Sequence, residues 1–288
     1  MDIANLRAFV AVAESCSFSL AAERLHLTQP AVSKRIQALE ASLDTRLLDR
    51  IGRRIVLTEA GRELLPRARH ILLELEDSRR AIANLAGHVT GVLRIGTSHH
   101  IGLHHLPPVL RGFVTRYPDV GLDLQFMDSE AACQAVAKGE LELGIVTLPP
   151  EPPGNLMLTS TWPDPLLVMA AGNHPLGRHQ QIDVADLSQY PAIMPAAWTY
   201  TRQIVEQALR PFGVELKIGL STNYLETIKM LVSVGLGWSI LPQTLLDKQV
   251  RALRIPALKL QRTLGFVQHQ DRTLSNAAKA LIALLETQ

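Results

Sequence analysis

The chain is poor in the residues and runs that mark secreted, disulfide-rich and membrane-spanning proteins. It has 2 cysteines in 288 residues, Cys16 and Cys133, and they form no metal-ligand spacing. Such sparse cysteine fits a reducing cytoplasm, although a redox-sensing pair stays open as an interpretation. The start, MDIANLRAF, lacks the features of a signal peptide, and no apolar run is long enough to span a membrane. We therefore expect a cytoplasmic protein without a membrane partner.

Motifs that carry catalysis are missing as well. The sequence has no nucleophile elbow, no glycine-rich phosphate loop and no set of metal ligands. Gly235-Leu236-Gly237 lacks the third glycine of a dinucleotide fingerprint. These absences predict that the protein is not an enzyme and needs no cofactor. A solute-binding protein or an enzyme with an added helical domain is the competing class.

Charge is scarce overall but uneven along the chain. The net charge is only +2, so composition alone does not indicate nucleic-acid binding. The first 70 residues carry 11 Lys/Arg against 8 Asp/Glu. Such a basic patch favours phosphate contact, and a solvated face is the alternative interpretation. Four of its arginines crowd into nine positions: Arg46, Arg50, Arg53 and Arg54.

Two short helical patterns near the N-terminus predict a helix-turn-helix. The first helix has Ser19 as its predicted cap, and the second opens at Pro30 after the turn His26-Leu27-Thr28. An ordinary helical hairpin is the alternative interpretation. The predicted inward face of the second helix consists of Val32, Ile36 and Leu39.

The outward face of the second helix has the residue types that read DNA. Small side chains let a helix lie deep in the major groove, and Gln, Lys and Arg pair with base edges. Free N–H groups at the helix start hold a phosphate. The predicted DNA contacts here are Thr28, Gln29, Pro30, Ala31, Ser33, Lys34, Arg35 and Gln37, with Gln29, Ser33, Lys34 and Gln37 reading the sequence.

Four motifs in this region resemble the LysR-type transcriptional regulators. They are FSLAA at 18–22, LTQPAVS at 27–33, IQALE at 36–40 and LTEAG at 57–61, in the family's order and spacing. Arg35 departs from the glutamine that many members carry.

The resemblance implies a winged helix-turn-helix in which residues 48–57 form a β-wing. It also implies that three wing arginines contact the DNA backbone or the minor groove. They are Arg50, Arg53 and Arg54.

A long helical pattern follows the wing, with Thr58 as its predicted cap. Its apolar residues recur at alternating steps of four and three, which is typical of a seam that a second helix covers. Packing of the seam on the protein's own body is the alternative, whereas the resemblance implies dimerisation through this helix. The seam consists of Leu64, Ala68, Ile71, Leu75, Ser78, Ile82 and Leu85.

After residue 91 short apolar strands alternate with helices, which predicts βαβ units and a mostly parallel sheet. The motifs GELELG at 139–144 and HPL at 174–176 resemble the family's effector domain. That resemblance implies two α/β lobes, as in periplasmic binding proteins, with crossovers near Trp162-Pro163 and at 265–267.

The predicted fold class is therefore α/β: a winged helix-turn-helix, a dimerisation helix and a two-lobed effector domain. The predicted boundaries are 1–58 for the first, 59–88 for the second and 89–288 for the third. Lobe I covers about 92–162 and 267–288, and lobe II about 163–266.

Ligands of open parallel sheets bind beyond the carboxyl ends of strands, near helix N-termini that attract a carboxylate. This rule predicts an effector cleft from the polar residues at the strand ends. Ser and Thr there also serve as plain helix caps, which is the alternative interpretation. The predicted cleft residues are Thr97, Ser98, His99, His100, Asp128, Ser129, Thr147, Pro195, Trp198, Thr199, Thr201, Asn223 and Tyr224.

Four histidines cluster at 99–105. His100 and His104 stand one helical turn apart, a spacing that suits a divalent metal, but no acidic or Cys partner accompanies them locally. We therefore expect no metal. The interpretations are a hydrogen-bonding or titrating role for His99 or His100, and packing for His104 and His105.

The resemblance implies a transcription regulator that responds to a small effector bound between the lobes, and the helix N-termini and histidines at the cleft favour an anionic one. It implies a homodimer or homotetramer on an interrupted palindrome of double-stranded DNA, with RNA polymerase as a further partner. A regulator that needs no effector is the remaining alternative.

Overall fold

The described chain divides into two compact units at the junction of Ala86 and Gly87. The computed structural model describes residues 1–51, 54–178 and 182–287, and of residues 50, 51, 54 and 178 it describes the backbone alone. Gly87 has φ +71°, a left-handed conformation that favours glycine and turns the chain out of the preceding helix. Among the residues described, none of the helices combines the length and apolarity that a membrane crossing needs.

Over its described residues, the first unit consists of four helices and a two-stranded ribbon that pack around one small hydrophobic core. Val32, Ile36 and Leu39 are buried together with Phe9 in this core, which confirms the predicted inward face of the second helix of the helix-turn-helix. The elements are α1 (Ile3–Ser15), α2 (Phe18–Arg24), α3 (Gln29–Leu43), β1 (Leu48–Ile51), β2 (Arg54–Leu57) and α4 (Glu59–Asn84).

The helix starts differ by a residue or two from the sequence prediction. Ser17 caps α2, since its side chain accepts from the N–H of Leu20 at 3.3 Å, so the prediction of Ser19 as the cap was wrong. Thr28 caps α3 in the same way, and Pro30 is the second residue of that helix. Proline is harmless there because the first N–H groups of a helix have no intrahelical partner.

Thr58 joins the end of the wing to α4. Its side chain accepts from the N–H of Gly61 at 3.0 Å, which confirms the predicted cap, and its hydroxyl donates to the carbonyl of Arg46 at 2.8 Å. Gly61 packs so closely on the chain that an added Cβ would lie 2.1 Å from the carbonyl oxygen of Leu47. The LTEAG motif therefore has a local structural reason, since one residue caps the helix and another permits close backbone contact.

The seam of α4 divides into two parts. Ala68 is buried and Leu64 packs on the core of the first unit, so the start of the seam follows the alternative interpretation. Ile71, Ile82 and Leu85 are exposed, the last two at 70% and 86%. An apolar stripe of this kind suits a second helix.

The second unit is an α/β structure. Its strands are β3 (Gly91–Thr97), β4 (Val120–Phe126), β5 (Leu143–Thr147), β6 (Leu156–Ala171), β7 (Ala192–Met194), β8 (Ile218–Ser221), β9 (Trp238–Pro242), β10 (Val250–Ala252) and β11 (Leu260–His269). Its helices are α5 (His99–His104), α6 (Leu106–Arg116), α7 (Ser129–Ala137), α8 (Tyr200–Leu209), α9 (Leu225–Ser233) and α10 (Asn276–Leu285).

Within the described residues these strands form one mixed sheet in the order β4-β3-β5-β11-β6-β9-β7-β8, with β10 beside β6. Strand β3 runs parallel to β4 and β5, and β7 runs parallel to β8 and β9. The prediction of a mostly parallel sheet holds for these two halves. It is wrong for β6 and β11, which run antiparallel to their neighbours because each carries the chain from one half to the other.

Strands β6 and β11 are the two crossovers and pair along ten residues of β11. Their register shifts between Leu264 and Gly265, where a Cβ on the glycine would lie 2.0 Å from the carbonyl oxygen of Thr159. Residues beyond the shift, such as Phe266, belong to the core with β3 and α6, which we call lobe I. Leu260, at the start of β11, belongs to the core with β7 and α8, which we call lobe II, whereas Leu264 beside the shift still belongs to lobe I.

The contact at Gly61 predicts a specific loss of stability. Gly61→Ala places a methyl group against the backbone of Leu47 and is expected to lower the free energy of unfolding of the first unit by about 1–3 kcal/mol. Hydrogen exchange of the amides in α1–α4 measures it. Gly112→Ala is the matched control, since Gly112 lies on the exposed face of α6 in the second unit with open space around it. It should leave hydrogen exchange in α1–α4 unchanged and should not lower the free energy of unfolding of the second unit. Equal exchange in wild type and Gly61→Ala would contradict the prediction.

Candidate DNA interface and ligand-binding cleft

The outward side of α3 presents the predicted DNA-reading residues on one face. Its other side is fixed by burial against α1, so these residues have no alternative orientation. The first turn of α3 contains no acidic residue that would repel a phosphate, although the N–H of Ala31 already donates to Thr28. Exposed are Thr28, Gln29, Pro30, Lys34 and Gln37, and half-buried are Ala31, Ser33 and Arg35.

A surface groove runs between α3 and the wing. It is lined by Ser33 and Gln37 from the helix and by Arg46 from the segment before β1. Arg46 belongs to the basic patch but was not among the predicted contacts, because the sequence does not show that it faces the same groove as α3.

The predicted wing is present as a two-stranded antiparallel ribbon, with Arg50 opposite Ile55 and Ile51 opposite Arg54. Arg50 and Arg54 thus lie on the two strands near the tip. Arg53 lies outside the described residues.

In the second unit, strand ends and helix starts from both lobes surround one narrow cleft of about 40 Å³. Ser98 follows β3 and Asp128 follows β4, while Pro195 follows β7 in the other lobe. Eleven of the thirteen predicted cleft residues line the cleft. The lining is Ser98, His99, His100, Asp128, Ser129, Glu130, Thr147, Pro195, Thr199, Thr201, Asn223, Tyr224, Leu225 and Arg262.

Two predicted cleft residues lie outside this lining. Thr97 is buried in the sheet, where its hydroxyl donates to the carbonyl of Ile145 at 2.8 Å. Trp198 is 53% exposed and stands before the cap of α8. The strand-end rule selects a segment of chain, and it does not tell which side chains of that segment point inward.

Several Ser and Thr residues of the cleft also serve the backbone. Ser98 caps α5 and Thr199 caps α8, as the alternative interpretation expects. Ser129 accepts from the N–H of Thr147 at 3.0 Å and so joins two strand ends of lobe I. Their hydroxyls therefore combine local structural bonds with a position at the cleft.

Arg262 is the cleft residue that sequence reasoning missed most clearly. It lies on β11 directly opposite Asp164 on β6, and its Nε donates to that carboxylate at 2.7 Å. Its Nη1 donates to Thr201 at 2.8 Å, whereas Nη2 is buried without a hydrogen-bond partner among the described residues. Burial lowers the pKa of Arg262 and the charge of Asp164 opposes that shift.

Polar bonds join the two lobes across the cleft. Asn223 of lobe II donates to the carboxylate of Asp128 in lobe I at 2.8 Å. Glu130, on α7, accepts from the backbone N–H of Tyr200 at the start of α8. Burial raises the pKa of Glu130, and the bond from Tyr200 opposes the shift. The cleft is thus held narrow by contacts between lobes.

The histidines take three different positions. His99 stacks on Phe126 at 5.1 Å between ring centroids and meets Tyr224 edge-on at 4.8 Å. His105 packs 5.3 Å from the ring of Trp162, in agreement with a packing role. His104 packs as expected, with its ring 4.6 Å from that of His100 between centroids, and both rings also contact Glu226.

The cysteines lie in different units, Cys16 exposed in the first and Cys133 buried in the second, and both are free. Burial raises the pKa of the Cys133 thiol to about 11, despite its hydrogen bond with Tyr200. A thiol with so high a pKa is protonated at neutral pH and reacts slowly. Nothing in either environment favours the redox-pair interpretation.

A winged helix-turn-helix in one unit and a two-lobed cleft domain in the other define the class of ligand-responsive DNA-binding regulators. Two family models match the chain. Residues 3–62 match the bacterial regulatory helix-turn-helix protein, lysR family, and residues 86–288 match the LysR substrate binding domain. The chain belongs to the LysR family of bacterial transcription regulators.

The chain is also similar to curated transcriptional regulators. A probable RuBisCO transcriptional regulator of Trichormus variabilis is 32% identical over 286 residues, covering 96% of this chain and 85% of the relative. An uncharacterized HTH-type regulator of Azotobacter vinelandii, from the ibpB-leuC intergenic region, is 68% identical over 108 residues, covering 38% of this chain and 75% of the relative.

Solved structures share the fold. CbnR in complex with its target DNA aligns with a TM-score of 0.63 at 23% identity, covering 100% of this chain and 99% of that one. The effector-binding domain of QuiR in complex with shikimate aligns with a TM-score of 0.63 at 22% identity, covering 69% of this chain and 96% of that one.

Proposed function

We propose that the cleft binds a small organic anion and that this binding changes how the protein occupies its DNA. Residues 1–58 read the DNA, 59–88 join two copies, and 89–288 sense the ligand. The protein acts in the cytoplasm as a homodimer or homotetramer on an interrupted palindrome, engages RNA polymerase there and catalyses no reaction. The observation that carries the sensing proposal is the unpartnered Nη2 of Arg262 in the cleft.

A buried guanidinium group with an unused donor strongly favours an anionic partner. An unsatisfied buried donor costs free energy, and a carboxylate that accepts from it recovers a charge-assisted hydrogen bond. The helices α7, α8 and α9 begin at the cleft, so the positive ends of their dipoles face the same space.

The acidic side chains of the cleft do not stand against this proposal. Asp128 is bonded to Asn223 and Glu130 to the backbone of Tyr200, so both are already occupied by donors of the other lobe. Arg262, Thr147 and Thr201 also line the cleft. A ligand that carries both an acidic group and hydroxyls matches this lining, and QuiR, similar in fold, binds such a molecule in shikimate.

The lobe-bridging bonds give ligand binding a means of acting on the protein. A ligand that binds one spacing of the lobes better than another shifts the population towards that spacing. By linkage, DNA that prefers one state alters the affinity for ligand by the same factor.

Anion binding is expected to depend on Arg262. Arg262→Met combined with Asp164→Leu removes both charges of the pair, so that neither is left buried alone. Shikimate and a panel of carboxylates, phosphate esters and neutral polyols serve as probes in thermal-shift and calorimetric titrations. We expect stabilisation of the wild type by some of the anions, and an affinity about tenfold lower or worse in the double variant.

The matched control removes another ion pair of lobe II that does not line the cleft. Arg202→Met with Glu206→Leu takes away a pair joined at 2.6 Å and should leave anion affinity unchanged. Equal stabilisation by neutral polyols, or anion binding that survives the loss of Arg262, would refute the proposal. If no compound of the panel binds or raises the unfolding temperature, the result would favour a regulator that needs no effector.

DNA reading is expected to depend on the exposed face of α3. Genomic fragments recovered with the wild-type protein supply the target, and fluorescence anisotropy measures its affinity. Gln37→Ala is expected to cost about 1–3 kcal/mol on the target and much less on unrelated DNA, because it removes a base contact. Lys248→Ala, an exposed lysine of the second unit, is the control. Equal losses on target and unrelated DNA would contradict base reading by Gln37.

Dimerisation is expected to depend on the exposed part of the α4 seam. Ile82→Glu places a charge in the apolar stripe and should lower the mass measured by light scattering to that of a smaller species. Ala83→Glu, on the neighbouring exposed position outside the seam, is the control and should keep the wild-type mass. An Ile82→Glu variant with unchanged mass at all concentrations would exclude the seam as an interface.

A further inference from the structure

Two helices from different lobes bring three metal-ligand side chains together beside the cleft. His100 and His104 lie one turn apart on α5 of lobe I, and Glu226 lies in the first turn of α9 of lobe II. His100 Nδ1 is 3.1 Å from Glu226 Oε1, and His104 Nε2 is 3.2 Å from the same oxygen. The sequence offers no acidic partner near the histidines, but the fold supplies one from 122 residues away.

The distances suit a tetrahedral metal site. Ligand atoms that lie 2.0–2.1 Å from a tetrahedral zinc ion are about 3.3 Å from one another. The ligand atoms of His100, His104 and Glu226 all lie within 4.8 Å of one another. A pair of histidines at i and i+4 on one helix face is also a recurring zinc-binding arrangement.

The surroundings of His100 hold its ring in the orientation that it needs to coordinate a metal. Its side chain is 2% exposed, and Thr244 Oγ1 lies 3.2 Å from Nε2. A ring that donates from Nε2 to the hydroxyl of Thr244 presents the lone pair of Nδ1 towards Glu226. Histidine ligands are regularly fixed by a hydrogen bond of this kind on the second nitrogen.

The charges of the site also suit a cation. The nearby guanidinium of Arg262 is balanced by Asp164, which leaves the carboxylate of Glu226 in excess.

We propose that His100, His104 and Glu226 bind a divalent transition metal, Zn²⁺ in the first instance, with a further coordination position left for water or a ligand. Imidazole and carboxylate ligands suit zinc, and three protein ligands leave such a site open. A second group, His100 with His105 and Asp164, is less suitable because Asp164 already pairs with Arg262. Since its ligands come from both lobes, the bound metal fastens the lobes together.

Zinc alone tests the proposal on the full chain, without an affinity tag, after treatment with a chelator and dialysis. Calorimetry measures Zn²⁺ affinity, and the visible spectrum of bound Co²⁺ reports the coordination. We expect one site per chain, a tetrahedral cobalt spectrum and a higher unfolding temperature with Zn²⁺. Thr244→Val is expected to weaken Zn²⁺ binding about 10–100-fold. Glu226→Gln and His104→Ala remove ligands and should weaken it at least as much.

His88→Ala, which removes an exposed histidine outside the site, is the matched control and should bind Zn²⁺ like the wild type. Unfolding curves without metal show whether each variant is folded, and the cobalt spectrum of the wild type needs no variant. A wild type without a cobalt spectrum, or Zn²⁺ affinity that Glu226→Gln and His104→Ala leave unchanged, would overturn the proposal. If the wild type gives no cobalt spectrum, His100 and His104 simply donate hydrogen bonds to Oε1 of Glu226 and the group binds no metal.

Discussion

The buried ion pair between Arg262 and Asp164 positions the cleft on which the function of the second unit depends. The two residues stand opposite each other on the strands that connect the lobes, so the pair fixes both crossovers at the point where the lobes meet. Taking two charges out of water is costly, and a pair of this kind adds little stability compared with apolar side chains. Its value here is positional, because it holds a guanidinium group rigidly at the base of the cleft with one donor unused.

Most features that depend on neighbours in sequence were predictable, with the cap of α2 as an exception, and features that depend on strand register were not. The inward face of α3 and the cap at Thr58 follow from local periodicity and capping chemistry, and both are confirmed. Arg262 escaped prediction because it lies inside a strand rather than at its end. Glu226 escaped because only the approach of α9 to α5 brings it to the histidines.

The same contrast explains the partial success at the cleft. Strand ends locate the correct segments, since the carboxyl ends of parallel strands meet at one edge of a sheet. Thr97 and Thr147 both end such strands, yet the first turns into the sheet and the second faces the cleft. Periodicity does not determine this choice at the final residue of a strand. The antiparallel crossovers were likewise hidden, because an apolar strand shows no direction in its sequence.

The hydrogen bonds between Asp128 and Asn223 and between Glu130 and Tyr200 have a consequence for the speed of ligand entry. Both bonds cross the cleft from one lobe to the other, so a ligand that widens the space between the lobes has to break them on entry. Opening then precedes binding, and the observed association rate levels off at the opening rate as the ligand concentration rises. The opening rate of the lobes would thereby set the fastest rate at which the protein responds to its ligand.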